Sequence, residues 1–241
     1  MRVDSTAVMA ARFCEGQVKR LTRIHQVLIL AFAAMAISMI VLVDPVAAHQ
    51  PIVPRATSSI DVTDPTISKA YYAELKGQPD TYHIASDASF PLYLNVLVPA
   101  ISGVTEDYTL TIVKDGQPWA VVLPGAEAWT AFDEPFGGDR YLMGPEYRQE
   151  VPSGHYDVVV SSPDNAGKYV LAVGEVESFS MSEILRTMTT MVAVKHYFGK
   201  PTIAVLESPF ISAPLAAVLL TIGAVWLILM RHRRRSQRAA R

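Results

Sequence analysis

Between Ser58 and Gly174 apolar side chains recur at every second position in short runs, and Gly, Pro, Asp or Asn closes each run. That is the period and punctuation of β-strands and turns. In PSGHYDVVVSS, Tyr156, Val158 and Val160 share one face while His155, Asp157 and Val159 share the other. In NAGKYVLAVGE, Tyr169, Leu171 and Val173 line one face, and Pro163-Asp164-Asn165 lies between the two runs. The pair is therefore predicted to form an antiparallel hairpin. DYTLTIVKDG puts Tyr108, Leu110 and Ile112 on one face before a Lys-Asp-Gly turn, DTYHIAS turns Tyr82 and Ile84 inward, and ISKAYYAEL is a further strand. FPLYLNVLVP is apolar at nearly every position, as a central strand covered on both faces would be. Six to nine short strands without βαβ spacing predict a mainly β domain over residues 67–178, an antiparallel β-sandwich or jelly roll. Residues 49–66, with Pro51, Pro54 and TDPTIS, read as a linker.

The period then changes. Over residues 180–198, Ile184, Leu185, Met188, Met191, Val192 and Phe198 recur at helical spacing. Ser180 and Glu183 have the capping-box spacing, and Gly199 with Pro201 gives the stop. This amphipathic helix is expected to pack on the sandwich; the alternatives are a helix lying on a bilayer or a docking face. Two uncharged apolar runs flank everything else. Residues 209–230 cover about 33 Å as a helix, enough to cross a bilayer, with the lipid as partner. Residues 27–43 are followed by Asp44-Pro45 and then Val46-Ala47-Ala48, an A-x-A-like cleavage signature. Residues 1–48 are therefore read as a signal peptide cut after Ala48, the alternative being an uncleaved N-terminal membrane helix over 27–43.

Charge orients this layout. Of the 21 Lys and Arg, five precede His49 and six follow Ser208, leaving ten between; of the 23 Asp and Glu, three precede His49 and none follows Ser208, leaving twenty. An acidic middle between basic ends, with RHRRR directly after the second run, places the sandwich outside and the basic tail, 231–241, in the cytoplasm. The expected location is the plasma membrane, single-pass. The tail reads as a stop-transfer signal rather than a nucleic-acid patch. Ala213, Ala217 and Thr221 form a small-residue stripe that would permit a homo-oligomer through the span. The single cysteine, Cys14, precedes the first run, so the outer domain must stand without disulfides.

The hairpin motif carries a resemblance. PSGHYDVVVSSPDNAGKYVLAVGE resembles the closing strands of bacterial pre-peptidase C-terminal domains, where a Pro-x-Gly-x-Tyr strand pairs with a Tyr-x-Leu-x-Val strand. KAYYAELKGQPDTYHI resembles that family's opening strands. With its AHQP start and its Gly144–Tyr147 GPEY segment, the chain also resembles an uncharacterised group of secreted, membrane-tethered prokaryotic proteins. The likeness spans roughly residues 67–174. It implies a small jelly roll of the kind appended to secreted enzymes, with no catalytic motif of its own.

Candidate chemistry is sparse. No HExxH, GxSxG, Walker loop, CxxC or GxGxxG occurs. WTAFDEPFGGDRYLMGPEY, residues 129–147, concentrates acids and aromatics and reads as a long loop. Asp133, Glu134, Asp139 and Glu146 are hard oxygen donors that suit calcium, or a carboxylate pair for glycoside hydrolysis. Trp129, Phe132, Phe136 and Tyr141 would stack on a sugar or peptide. Otherwise the aromatics close one end of the sandwich and the acids face water. If cleavage leaves His49 first, its amine and ring suit copper, with His83 or His155 to close the site. A loose, proline-rich N-terminus argues against that, and no cofactor is the leading expectation. The leading function is a non-enzymatic, membrane-tethered extracytoplasmic module binding a protein or glycan. The alternatives are a hydrolase using the acids of 129–147, and a copper- or calcium-binding exported protein.

Overall fold

Two sheets face each other across a core built from the alternate residues of their strands. The computed structural model describes residues 49–54, 58–104, 106–123, 129–178 and 181–239, with isolated positions 18, 22, 25, 26 and 29. Within them lie eleven strands: β1 (Gln50–Ile52), β2 (Ser59–Val62), β3 (Lys69–Lys76), β4 (Asp80–Ser86), β5 (Phe90–Pro99), β6 (Thr109–Lys114), β7 (Gln117–Val122), β8 (Thr130–Glu134), β9 (Asp139–Val151), β10 (Gly154–Ser161) and β11 (Ala166–Val173). One sheet runs β1-β3-β11-β5-β9-β8 and the other β2-β4-β10-β6-β7. The β1–β3 and β2–β4 pairs are parallel and the others antiparallel. The chain is thus a mainly β two-layer sandwich. The predicted linker, 49–66, supplies β1 and β2, an edge strand for each sheet.

The predicted hairpin of β10 and β11 does not form. β10 lies between β4 and β6, and β11 between β3 and β5, in the opposite sheet. Both are central strands whose two edges are already occupied. Their inward rows, Tyr156-Val158-Val160 and Tyr169-Leu171-Val173, are buried in one shared core. The Pro163-Asp164-Asn165 turn, with Asn165 at φ +48°, carries the chain from one sheet to the other. By contrast, β6 and β7 do form a hairpin, with Asp115 and Gly116 both at positive φ, the conformation that a tight two-residue turn requires.

β5 is covered on both faces, as its unbroken apolar run predicts. Leu92, Leu94, Val96 and Val98 enter the inter-sheet core, while Tyr93 and Leu97 join a second cluster on the sheet's outer face. That outer face is covered by α1 (Met181–Tyr197), through Val194 and Phe198. The helix therefore packs on the sandwich. Its predicted N-cap, Ser180, lies outside the described residues. Its C-terminus closes in a Schellman motif: Lys200 N–H donates to Lys195 O at 2.9 Å and Gly199 N–H to His196 O at 2.9 Å, with Gly199 at φ +70°. A 3₁₀ turn, Thr202–Glu207, follows.

The chain divides into two compact units, and the sandwich with α1 and the 3₁₀ turn is one, Pro45–Ser208. The other contains α2 (Pro209–Ala239), which over Pro209–Arg235 is the one helix among the described residues long and apolar enough to cross a membrane. The run 27–43 and the Ala48 cleavage site fall almost wholly outside the described residues.

Candidate functional site

The acidic, aromatic segment is a hairpin, not a long loop. β8 pairs with β9 in the register Asp133↔Arg140 and Glu134↔Asp139, so neighbouring carboxylates point to opposite faces. Asp133 stays exposed and receives Arg140 Nε–H at 2.7 Å. Glu134 turns to the helix side and organises the hairpin turn, accepting Phe136 N–H at 2.8 Å and Gly137 N–H at 2.5 Å. Burial raises its pKa, and those two bonds only partly offset the rise.

Beneath the end of α1 lies an ion cluster. Lys195 Nζ donates to Gly137 O at 2.8 Å, Asp139 Oδ2 at 2.9 Å and Glu207 Oε2 at 3.3 Å. Lys200 Nζ donates to Asp139 Oδ1 at 2.8 Å and Glu207 Oε2 at 2.6 Å. The Lys195 and Asp139 side chains are both 0 % exposed. The bond from Lys200, helped by Lys195, lowers the Glu207 pKa. Ser208, also buried, donates to Phe136 O at 2.6 Å. The hairpin turn is thus bonded to α1 and to the last residue of the sandwich unit, and Lys195 and Lys200 connect Asp139 to Glu207 of the 3₁₀ turn.

Beside the cluster, between α1 and the outer face of the sheet, is a cavity of about 30 Å³. His49, Tyr72, Glu134, Phe136, Tyr141 and Met191 are among its lining residues, and Tyr72 and Tyr141 share a hydroxyl–hydroxyl bond of 2.8 Å. It has room for a water or two. His49 is not on a loose terminus: its Nδ1 lies 2.6 Å from Ser68 Oγ, and Gln50 N–H donates to Ser68 O at 3.0 Å. Burial lowers the His49 pKa to about 4.

The predicted residues are only partly brought together. Glu134, Phe136, Tyr141 and His49 meet at the cavity, and Asp139 sits in the ion cluster. Glu146 instead faces Arg148 at 3.6 Å. Trp129 packs on the core, its ring 2.9 Å from where a Cβ on Gly144 would stand. The four acids therefore do not converge, which removes the arrangement expected for calcium. The copper set is likewise separated: His49 directly precedes β1 of one sheet, while His83 and His155 stand on β4 and β10 of the other. Among the described residues no three His, Cys, Asp or Glu side chains are placed to hold a metal ion.

Two arrangements escaped the sequence reading. Lys195 left a legible signal: it falls on the apolar stripe of α1 with Met188, Met191 and Phe198, where a lone lysine needs a buried partner. The other is on the outer face of the second sheet. His83 Nδ1 lies 2.7 Å from Asp157 Oδ1 and its Nε2 lies 3.1 Å from Ser59 Oγ. The carboxylate can only accept, so Nδ1 carries a proton, and in the neutral ring Nε2 is left to accept from the serine. The three come from β2, β4 and β10, so nothing in the linear spacing announces them.

No family model matches the chain, and no curated protein does. Solved structures similar to it include the pre-peptidase C-terminal domain of collagenase from Bacillus anthracis, 11 % identical, with a TM-score of 0.31 over 50 % of this chain and 97 % of that one. A β-glucosidase from Paenibacillus barengoltzii is 7 % identical, with a TM-score of 0.25 over 54 % of this chain and 14 % of the enzyme. The chain thus spans a small part of that enzyme's length.

Proposed function

We propose that this chain is a membrane-tethered extracytoplasmic module that binds or scaffolds a protein or glycan and is not itself an enzyme. The observation that carries the reading is α2, an apolar helix that runs straight into an arginine cluster, joined to a sandwich unit with a core of its own. The acids of the β8–β9 hairpin are engaged by backbone N–H groups, lysines and an arginine, which suits a structural role for them. Leader cleavage after Ala48, domain outside and tail inside complete the proposal. Impermeant maleimide on intact cells tests it, in a chain carrying Cys14→Ser. Ser153→Cys is expected to label directly, and Gln237→Cys only after permeabilisation. The reverse pattern overturns the topology.

A second reading, an extracytoplasmic hydrolase, is favoured by one observation, the Ser59–His83–Asp157 relay. A nucleophile bonded to a base that is in turn oriented by a carboxylate has the geometry of acyl-transfer catalysis. Against it, the relay lies on an open strand face with His83 and Asp157 side chains 42 % and 48 % exposed, where water screens every charge. Fluorophosphonate labelling decides. The module reading expects no labelling; labelling that is lost in both Ser59→Ala and His83→Ala establishes a hydrolase.

A further inference from the structure

Lys195 and Asp139 stand in contact with neither side chain exposed to water. Burying an ion pair costs most of what its attraction returns, and a neutral replacement is often at least as stable. One reaction between these two groups removes both charges. We propose that Lys195 and Asp139 condense into an intramolecular isopeptide bond, the hairpin turn and the end of α1 forming the site of their own cross-linking.

The atoms balance without an outside reagent. As ammonium and carboxylate the pair holds the same hydrogens as amine and carboxylic acid. Moving one proton from Nζ to the carboxyl group frees the nitrogen lone pair. Nζ then attacks Cγ and the C–N bond forms. The C–O bond to the protonated oxygen breaks, and that hydroxyl leaves as water with a second proton from the nitrogen. The products are one amide and one water; nothing is oxidised or reduced.

Three features of the site serve this step. Glu134 is the cross-strand partner of Asp139, and their Oε2 and Oδ2 atoms lie 2.8 and 3.1 Å from one point, where a Cβ on Gly137 would stand. Glycine at 137 leaves that space open for proton exchange between the two acids. Burial raises the Glu134 pKa, which suits a group that gives a proton to the departing oxygen and takes one from nitrogen. Lys200 donates to the other oxygen, Asp139 Oδ1, at 2.8 Å, where negative charge collects as Nζ attacks. Fixing amine and carboxyl in contact also replaces a bimolecular encounter, an advantage worth effective concentrations of about 10⁵–10⁸ M. Lys195 rather than Lys200 is the nucleophile, because Lys200 is 32 % exposed and Lys195 is dry.

The bond would join residues 56 apart in sequence and tie α1 to β9 shortly before the chain leaves the sandwich at Ser208. A pull on the C-terminal side would then meet a covalent link instead of peeling the helix from the sheet.

Mass spectrometry of the full-length chain purified from membranes tests this. The expected result is a digest containing one branched peptide that joins the Asp139 and Lys195 segments, lighter than their sum by one water, with no tryptic cut after Lys195. Lys195→Arg abolishes the branched peptide, while Lys200→Arg keeps it. Glu134→Gln keeps one of the two acceptor oxygens of the turn and leaves the peptide unjoined in a chain whose circular dichroism matches that of the parent. Asp139→Asn still links, losing ammonia instead of water. Separate, unmodified Asp139 and Lys195 peptides from the folded parent chain, or a branch through Lys200, overturn the proposal. None of these readouts depends on which side of a membrane the domain occupies.

Discussion

His49 is a residue whose surroundings set a pH window. Its ring is packed between β1, Ser68 and the cavity, and burial holds its pKa at about 4, against an ordinary value of 6.5. The folded state therefore keeps the ring neutral between those values, while the unfolded chain takes up a proton. The His49 contribution to stability is fully present above pH 6.5 and is lost as pH falls toward 4. A displacement of that size is worth on the order of 3 kcal/mol at most. Glu207, held low by Lys200 and Lys195, adds to the loss in acid. Glu134 acts the other way: its raised pKa favours the folded state below the usual glutamate range and loses that advantage as pH rises. His49→Gln keeps a partner for Ser68 and removes the titration. Denaturant midpoints measured from pH 7 to pH 4 should fall for the parent chain and fall less for His49→Gln. Parallel curves would show that the ring is not buried in solution.

At the scale of elements, strands were legible wherever one face is buried, because alternation is a local property. The rows of β4, β6, β10 and β11 stand inward as their sequences indicate, and the unbroken β5 lies between two strands with both faces covered. Pairing was not legible in the same way. Inward rows on β10 and β11 are equally satisfied side by side or facing each other across a core. What decides is whether each edge is already taken, which depends on β3, β4, β5 and β6 far along the chain. β1 was missed because Pro51 and Pro54 suggest a linker, and β2 fell within the same 49–66 bounds. Proline is tolerated at an edge, and β1 lies at one. For the candidate site, sequence picked out Glu134 and Asp139 by composition alone, and could not show that Lys195 would arrive between Asp139 and Glu207. The stop signal of α1 was readable because its chemistry is local: Gly199 supplies the positive φ, and Lys200 and Gly199 cap the carbonyls of Lys195 and His196.

At the scale of the molecule, the sandwich unit extends beyond the predicted domain, 67–178. Residues 67–178 include neither edge strand β1 nor β2, and they lack α1. Removing α1 would uncover Tyr72, Tyr93, Leu97, Tyr141 and Ala172 on the outer face and leave the carboxylate of Asp139 without Lys195. Met191, Val194 and Phe198 are each 6 % exposed or less. At about 1.5–3 kcal/mol for each buried side chain, their loss costs roughly 5–9 kcal/mol. That is comparable with the whole stability of an ordinary domain, about 5–15 kcal/mol. A chain of residues 49–208 is therefore expected to melt cooperatively as a monomer, while residues 67–178 alone should aggregate or lack a cooperative transition. Circular dichroism melts and size-exclusion profiles of the two chains distinguish the outcomes. Equal melting of both would mean that the helix adds nothing to the fold, and that the ion cluster beneath it does not hold the hairpin in place.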